Sequence, residues 1–218
     1  QIAGAGVFYF FNNGSFESFY QGLTYTGTNE VYFSGSSGAD QTHTLLSDFT
    51  ATNSQIAFNS IANKTNTFNS AGYAIAAKRI RFAAQGTTNL NFGASTITLG
   101  TEGFFKYTET DPTKFVNINF GTSIWNTTGT TWNFGAWTTV ADTAWTVNFN
   151  DSCTVKSYNK TFGSISVATG VTLTLFDNLR CTGTFTSSGT AIVTATNGTL
   201  SIGGVASFSG TLSAVGTT

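Results

Sequence analysis

The chain has 218 residues, of which 9% are charged and 15% aromatic, and its net charge is -1. Soluble domains carry about 25% charged residues, so the polar surface here must be built from Thr, Ser and Asn rather than from ions. That balance gives no electrostatic reason to expect nucleic acid or an anionic membrane as partner. A chain with so little self-repulsion suits an assembly or fibre better than a free cytosolic enzyme.

The first 85 residues form an aromatic-rich β region whose fold the pattern leaves open. Val7-Phe8-Tyr9-Phe10-Phe11 and Glu30-Val31-Tyr32-Phe33 read as strands, and Ser34 to Gln41 reads as a loop from its Gly and Ser content. Gln1 to Phe11 is too short and too glycine-broken to span a bilayer. Thr42 to Phe49, which holds the single histidine, His43, is ambiguous. Gln55–Phe58 and Thr65–Phe68 are short strand candidates. Ala71 to Gln85 is rich in Ala and is the one stretch a helix could occupy. Arg79-Ile80-Arg81-Phe82 alternates with period two and the flanks carry no caps, so a strand is predicted there.

From residue 86 to 218 the alternation is clearer. Strands are predicted at Asn89–Phe92, Ser95–Leu99, Phe104–Tyr107, Phe115–Phe120, Thr131–Phe134, Ala144–Phe149 and Thr154–Ser157. More follow at Ser164–Val167, Val171–Leu175, Leu179–Thr182, Ala191–Thr194, Thr199–Ile202 and Ala206–Phe208. The inward residues expected from this register are Phe92, Ile97, Leu99, Ile118, Phe120, Ile165, Val167, Leu173, Leu175, Ile192 and Ile202. Less than a tenth of the chain is expected to be helical.

The segments from Phe162 to Phe208 are imperfect copies of one short unit. A solenoid needs such quasi-repeats so that inward residues stack turn on turn, and a sandwich does not. The fold expected is therefore an all-β parallel β-helix, or β-solenoid, with an antiparallel β-sandwich or jelly roll as the alternative. The solenoid expected for residues 86–218 would continue into residues 1–85. Met is absent and the chain opens on Gln1, so it reads as an excerpt of a longer protein.

The run SYNKTFGSISVATGVTLTLFDNLRCTGTFTSSGTAIVTATNGTLSIGG, residues 157–204, resembles the Thr/Gly/Asn-rich β-helical segments of bacteriophage tail fibres and tail spikes. It is similar also to those of large bacterial surface adhesins. The resemblance spans roughly residues 86–218 and rests on repeat texture. It implies a long, protease-resistant fibre exposed on a virion or a cell surface, often trimeric in phage examples; the partners expected are other subunits of the same particle or filament, in a homo-oligomer, and a cell-surface glycan.

Chemistry-bearing residues are sparse. Glycoside hydrolysis needs two carboxylates flanking the bond. Glu102, Glu109 and Asp111 are the densest acids, and beside Pro112 they read as turn charges. Asp142, Asp151 and Asp177 each sit in a turn-like setting where a carboxylate bonds backbone. His43, Ser47 and Asp48 lie close in sequence, but a triad is recognised by geometry. Lys78, Arg79 and Arg81 form the one basic cluster, readable as a phosphate or acidic-sugar site or as a solvated strand face that blunts edge pairing.

Cys153 and Cys181 lack metal-ligand spacing, and two half-buried thiols are expected rather than a disulfide. Trp125, Trp132, Trp137 and Trp145 are the best candidates for a glycan-stacking or subunit-contact surface, because aromatic rings pack on the apolar faces of sugars and fill interfaces. Recurrent Thr-Xaa-Thr units raise ice binding, but their uneven spacing speaks against it. The reading is a non-enzymatic structural or adhesive virion component without cofactor or metal. A bacterial surface adhesin or filament subunit is the second reading, and a carbohydrate-active β-helix enzyme the third.

Overall fold

The structure, a computed structural model, describes residues 7–10, 16–34, 39–106, 115–136, 138–141, 144–189, 192–195 and 198–214. Among them there is no helix. Every strand pairing is parallel, and the pairs join strands one coil apart, so the chain is a β-solenoid and not a sandwich. The Ala-rich stretch is the strand Ile75–Ala84.

Three faces repeat in chain order. The first stacks the opening halves of three long strands, Phe49–Ser60, Ile75–Ala84 and Thr96–Lys106. It continues through Ile124–Thr127, Thr146–Phe149, Ser164–Val167, Phe185–Ser187 and Ala206–Phe208. The second stacks Phe8–Phe10, Val31–Ser34 and the closing halves of the same long strands. Thr131–Asn133, Cys153–Lys156, Thr172–Leu175, Ile192–Ala195 and Thr211–Ala214 follow. The third stacks Phe16–Tyr20, Gln41–Leu45, Thr65–Asn69, Thr87–Asn91, Phe115–Asn119 and Thr138–Val140. A separate ladder of Thr161–Phe162, Leu179–Cys181 and Leu200–Ile202 takes the corresponding place in later coils.

One 15-stranded sheet therefore runs through both the aromatic-rich first 85 residues and the remainder. The long strands turn the corner between faces at register shifts, Ala51/Gln55 and Ala77/Arg79. Ser95–Leu99 and Phe104–Tyr107, expected as two strands, fuse into Thr96–Lys106, because Gly100 and Gly103 let the backbone bend without leaving the ladder. Strands at Phe16–Tyr20, Ile124–Thr127, Thr138–Val140, Thr161–Phe162, Phe185–Ser187 and Thr211–Ala214 are additional to those predicted. They are short segments with weak alternation, recruited by the neighbouring coil. Ser34 and Gln41, expected in a loop, end and begin strands, and residues 35–38 between them lie outside the described residues.

Coil length is uneven along the axis: 22 to 28 residues in the coils before Asn148, and 22 or fewer after it. Hydrogen-bonded neighbours on successive coils are 25 residues apart at Thr65 and Asp40 and 28 apart at Asn117 and Asn89. The spacing is 22 at Asn148 and Asn126 and 20 at Thr172 and Ser152. Interior volume follows coil length. The wide coils are filled by Phe33, Phe58, Phe68, Phe82, Phe92, Phe104, Phe120, Trp125, Trp132 and Trp145, and the narrow ones mainly by Ile165, Val167, Leu173, Leu175, Leu179, Cys181 and Val193, with Phe162 and Phe185 among them. A close-packed interior leaves no other solution, since a wide coil lined with Val would hold a void.

Nine of the eleven expected inward residues are buried at 0–1% exposure: Phe92, Ile97, Leu99, Ile118, Phe120, Ile165, Val167, Leu173 and Leu175. Ile202 packs against the core while half-buried. Ile192 is the correction, being 39% exposed while Val193 is buried. Leu173 pairs with Val193 and Thr172 with Ile192, so the register of the preceding coil sets the inward residue where two adjacent apolar side chains leave the pattern ambiguous. Val193→Ala is expected to cost about 2 kcal/mol and Ile192→Thr less than about 0.5 kcal/mol. Urea unfolding midpoints check this, and the reverse order would put the register one residue out.

Candidate functional site

The tryptophans do not form a surface. Trp125, Trp132 and Trp145 are each at 0% exposure, and Trp137 lies outside the described residues. Trp125 meets Phe92 edge-on at 4.8 Å and Trp132 at 5.6 Å, and its Nε1 donates to Ser123 Oγ at 2.7 Å. Trp132 stacks on Phe104 at 4.6 Å, and Trp145 on Phe120 at 4.0 Å. The expectation that these three rings contact a glycan or another subunit is corrected. The wide coils consume the aromatic surplus inside.

The outer faces are mainly columns of amides and hydroxyls. On the third face Asn117 donates to Asn89 at 2.9 Å and Asn91 to Asn69 at 2.7 Å, while Asn69 reaches Thr44 at 3.3 Å. On the first, Asn148 donates to Asn126 at 2.8 Å. Each amide bridges to the equivalent position of the previous coil, spaced by the strand separation of about 4.8 Å.

The second face differs in its first coils. Tyr9 and Tyr32 are register partners whose rings stack at 4.7 Å with a 15° interplanar angle. The Tyr32 hydroxyl donates a short bond to Glu30 Oε2 and accepts from Arg81 at 2.8 Å. Arg81 also pairs with Glu30 at 3.4 Å, its guanidinium 5.9 Å from the Tyr32 ring centre. Burial, reinforced by Glu30, pushes the Tyr32 phenol up to about 12, so it stays a donor. In Phe8-Tyr9-Phe10 and Val31-Tyr32-Phe33 the alternation alone turns each Tyr outward. Their meeting across a coil was not legible.

The basic cluster is neutralised. Glu102 holds Lys78 at 2.5 Å and Arg79 at 3.1 Å, and the Lys78 ammonium holds the Glu102 carboxyl below its usual range. Arg79 also donates to Gln55 at 3.0 Å. Glu109, Asp111 and Asp142 lie outside the described residues. Glu17 accepts from the Thr44 hydroxyl at 3.3 Å, and the aspartates cap backbone: Asp40 accepts from Thr65 N, Asp48 from Ala74 N and Asp151 from Ser152 N. Asp177 accepts from the N–H groups of Ser157 and Tyr158, a turn in which Tyr158 and Asn159 have positive φ. Three of these four aspartates bind the neighbouring coil, so the acids tie coil to coil.

His43, Ser47 and Asp48 are not brought together as a triad. His43 is fully buried, with Nε2 3.3 Å from Ser34 O and Nδ1 2.7 Å from the Tyr20 hydroxyl. A carbonyl can only accept, so Nε2 carries the proton and Nδ1 accepts from Tyr20. Ser47 Oγ instead accepts from Gly22 N at 2.6 Å. Cys153 and Cys181 are free and buried, and burial pushes the Cys153 thiol up to about 12 and raises Cys181. Neither is a ready nucleophile. Among the described residues no group of three His, Cys, Asp or Glu side chains could hold a metal ion.

Burial lowers His43 to about 4 from its ordinary 6.5. The unfolded chain takes up the proton from about pH 6.5 downward, and the folded chain does so only near 4. Stability is therefore expected to fall as pH drops through that window, by up to about 3 kcal/mol. The Glu102 contribution is lost lower, below the ordinary carboxylate value of 4.5. The slope between pH 6.5 and 4.5 thus belongs to His43. Unfolding midpoints of His43→Phe should be flat there, and a slope equal to that of the unsubstituted chain would rule the histidine out.

Fold and faces together define a parallel β-solenoid with an aromatic interior and a largely uncharged polar exterior. No family model, curated protein or solved structure matches the chain.

Proposed function

We propose that this chain is a non-enzymatic structural and adhesive module of a bacteriophage virion, a fibre, spike or exposed decoration, working as a rod that presents neutral polar faces to partner subunits and to cell-surface glycan. The observation that carries the reading is the division of labour across each strand: stacked apolar columns inside, amide and hydroxyl columns outside, and most of the described acids spent on ion pairs and turn capping. Continuous parallel ladders leave few loops for proteases, and the neutral faces allow subunits to approach without charge repulsion. The Thr/Gly/Asn-rich texture of residues 157–204 supports the virion setting.

Immunogold labelling with antibody raised against the 218-residue chain tests this. Label on the tails or surfaces of purified particles is expected. Label confined to bacterial envelopes would replace the virion with a surface adhesin. Release of reducing sugar from host polysaccharide by the purified chain would overturn the non-enzymatic reading.

A further inference from the structure

Across the described surface, large apolar side chains mostly stand without a second outward ring beside them, as Ile124 does between Thr96 and Thr146 and Phe176 does under the Lys156 ammonium. The second face near its first coils is different, because there two outward aromatic rings stack on each other in register and an ion pair adjoins them. Resting on the adhesive reading above, we propose that the Tyr9–Tyr32 stack with Arg81 and Glu30 is a binding site for a neutral saccharide.

Three features select that ligand class. Tyr9 is 52% exposed although its ring is held by Tyr32 on one side, so a flat apolar surface is presented with little freedom left to lose on binding. A pyranose carries a matching flat face of C–H groups rimmed by hydroxyls. Beside the rings, Tyr32 Oη, Arg81 and Glu30 are joined in one hydrogen-bonded network, which offers both donors and a carboxylate acceptor to those hydroxyls. The charges cancel locally: Arg81 is paired with Glu30, and Lys78 and Arg79 with Glu102. An anionic sugar or phosphate would have to break an existing pair to be held, whereas a neutral one would not. Ala57, the register position between Tyr32 and Arg81, is covered at 2% exposure, so the guanidinium lies against the aromatic stack and not apart from it.

The test uses the 218-residue chain with 13C-labelled tyrosine rings. It is titrated with four neutral tetrasaccharides (cello-, malto-, manno- and chitotetraose), with sialyllactose as the anionic probe and with a proline-rich decapeptide as the alternative ligand of exposed tyrosines. At least one neutral tetrasaccharide is expected to shift the Tyr9 and Tyr32 ring signals. Affinity should weaken about tenfold in Tyr9→Ala, the order that loss of one aromatic contact gives, and also weaken in Glu30→Gln, while thermal midpoints show that both variants fold. Saccharide binding that persists unchanged in Tyr9→Ala would overturn this site and leave the adhesive reading standing. Binding of the decapeptide or sialyllactose in preference to every neutral sugar would overturn the ligand class. No ring shift with any of the tetrasaccharides would overturn the proposal outright.

Discussion

Trp125→Ala is expected to destabilise the chain by about 3–5 kcal/mol. The ring lies on the first face between Ile97 of the preceding coil and Val147 of the next, and it is wholly enclosed. Phe92, Phe104, Phe120 and Trp132 all meet it edge-on with centroids within 5.6 Å. Removing it leaves a cavity that four aromatic neighbours cannot close, since each is pinned by its own coil. Its indole N–H also holds Ser123 Oγ, which is buried and would lose that partner. Ile124→Thr, on the same strand but facing out at 44% exposure, should stay within about 0.5 kcal/mol. Chemical denaturation with a constant m-value measures both. A Trp125→Ala cost below that of Ile124→Thr would mean that the ring is not interior.

Gly103→Ala is expected to be as severe, about 3–5 kcal/mol, for a different reason. Gly103 has φ of +74°, which a side chain resists, and an added Cβ would stand 2.2 Å from Thr131 O of the next coil. Gly129 faces it, where a Cβ would be 2.1 Å from Gly103 Cα. The two glycines let successive backbones touch at the corner where the first face turns into the second. Because the obstacle is backbone, no rotamer change relieves it. The coil must separate, and the pairing of Trp132 with Phe104 beside it would loosen. Gly170→Ala is the control: φ is +77° but nothing lies within 4 Å, so only the conformational cost of about 1 kcal/mol applies. Equal midpoints for the two variants would show that coil contact at Gly103 is not tight.

Both effects arise from stacking, and stacking is where reading the sequence stops. Strand identity was legible because alternation is local: Thr172-Leu173-Thr174-Leu175 tells inside from outside without reference to anything else, and Leu173 and Leu175 are buried. The solenoid was legible in the last third because its coils are short and near-equal, so copies recur at a spacing the eye can follow. In the first half the spacing lengthens to 25 and 28 residues, and the same repeat is blurred.

The candidate site was less legible than the fold. Trp125, Trp132 and Trp145 stood out as large aromatics in a thin β protein and suggested a surface. The deciding quantity is coil width: a coil 28 residues long encloses enough volume for clustered tryptophans, whereas those near 20 take mainly Val, Leu, Ile and Cys, with Phe162 and Phe185 the rings among them. His43 has Ser47 and Asp48 as sequence neighbours, a proximity that says nothing of geometry. Its actual partners, Tyr20 and Ser34, are 23 and 9 residues away.

By itself, then, the sequence determined that this is an all-β chain of short strands, which residues in most strands face inward, and that the exterior is polar with little charge. Those are properties of period-two alternation and of composition, carried by each segment alone. The tertiary structure alone decided which aromatics fill the interior, that Val193 and not Ile192 turns inward, and that Tyr9, Tyr32, Glu30 and Arg81 meet on one face. The physical reason is that these depend on coil length and on the register of one coil upon the next, and both are set by packing between residues some twenty to fifty positions apart.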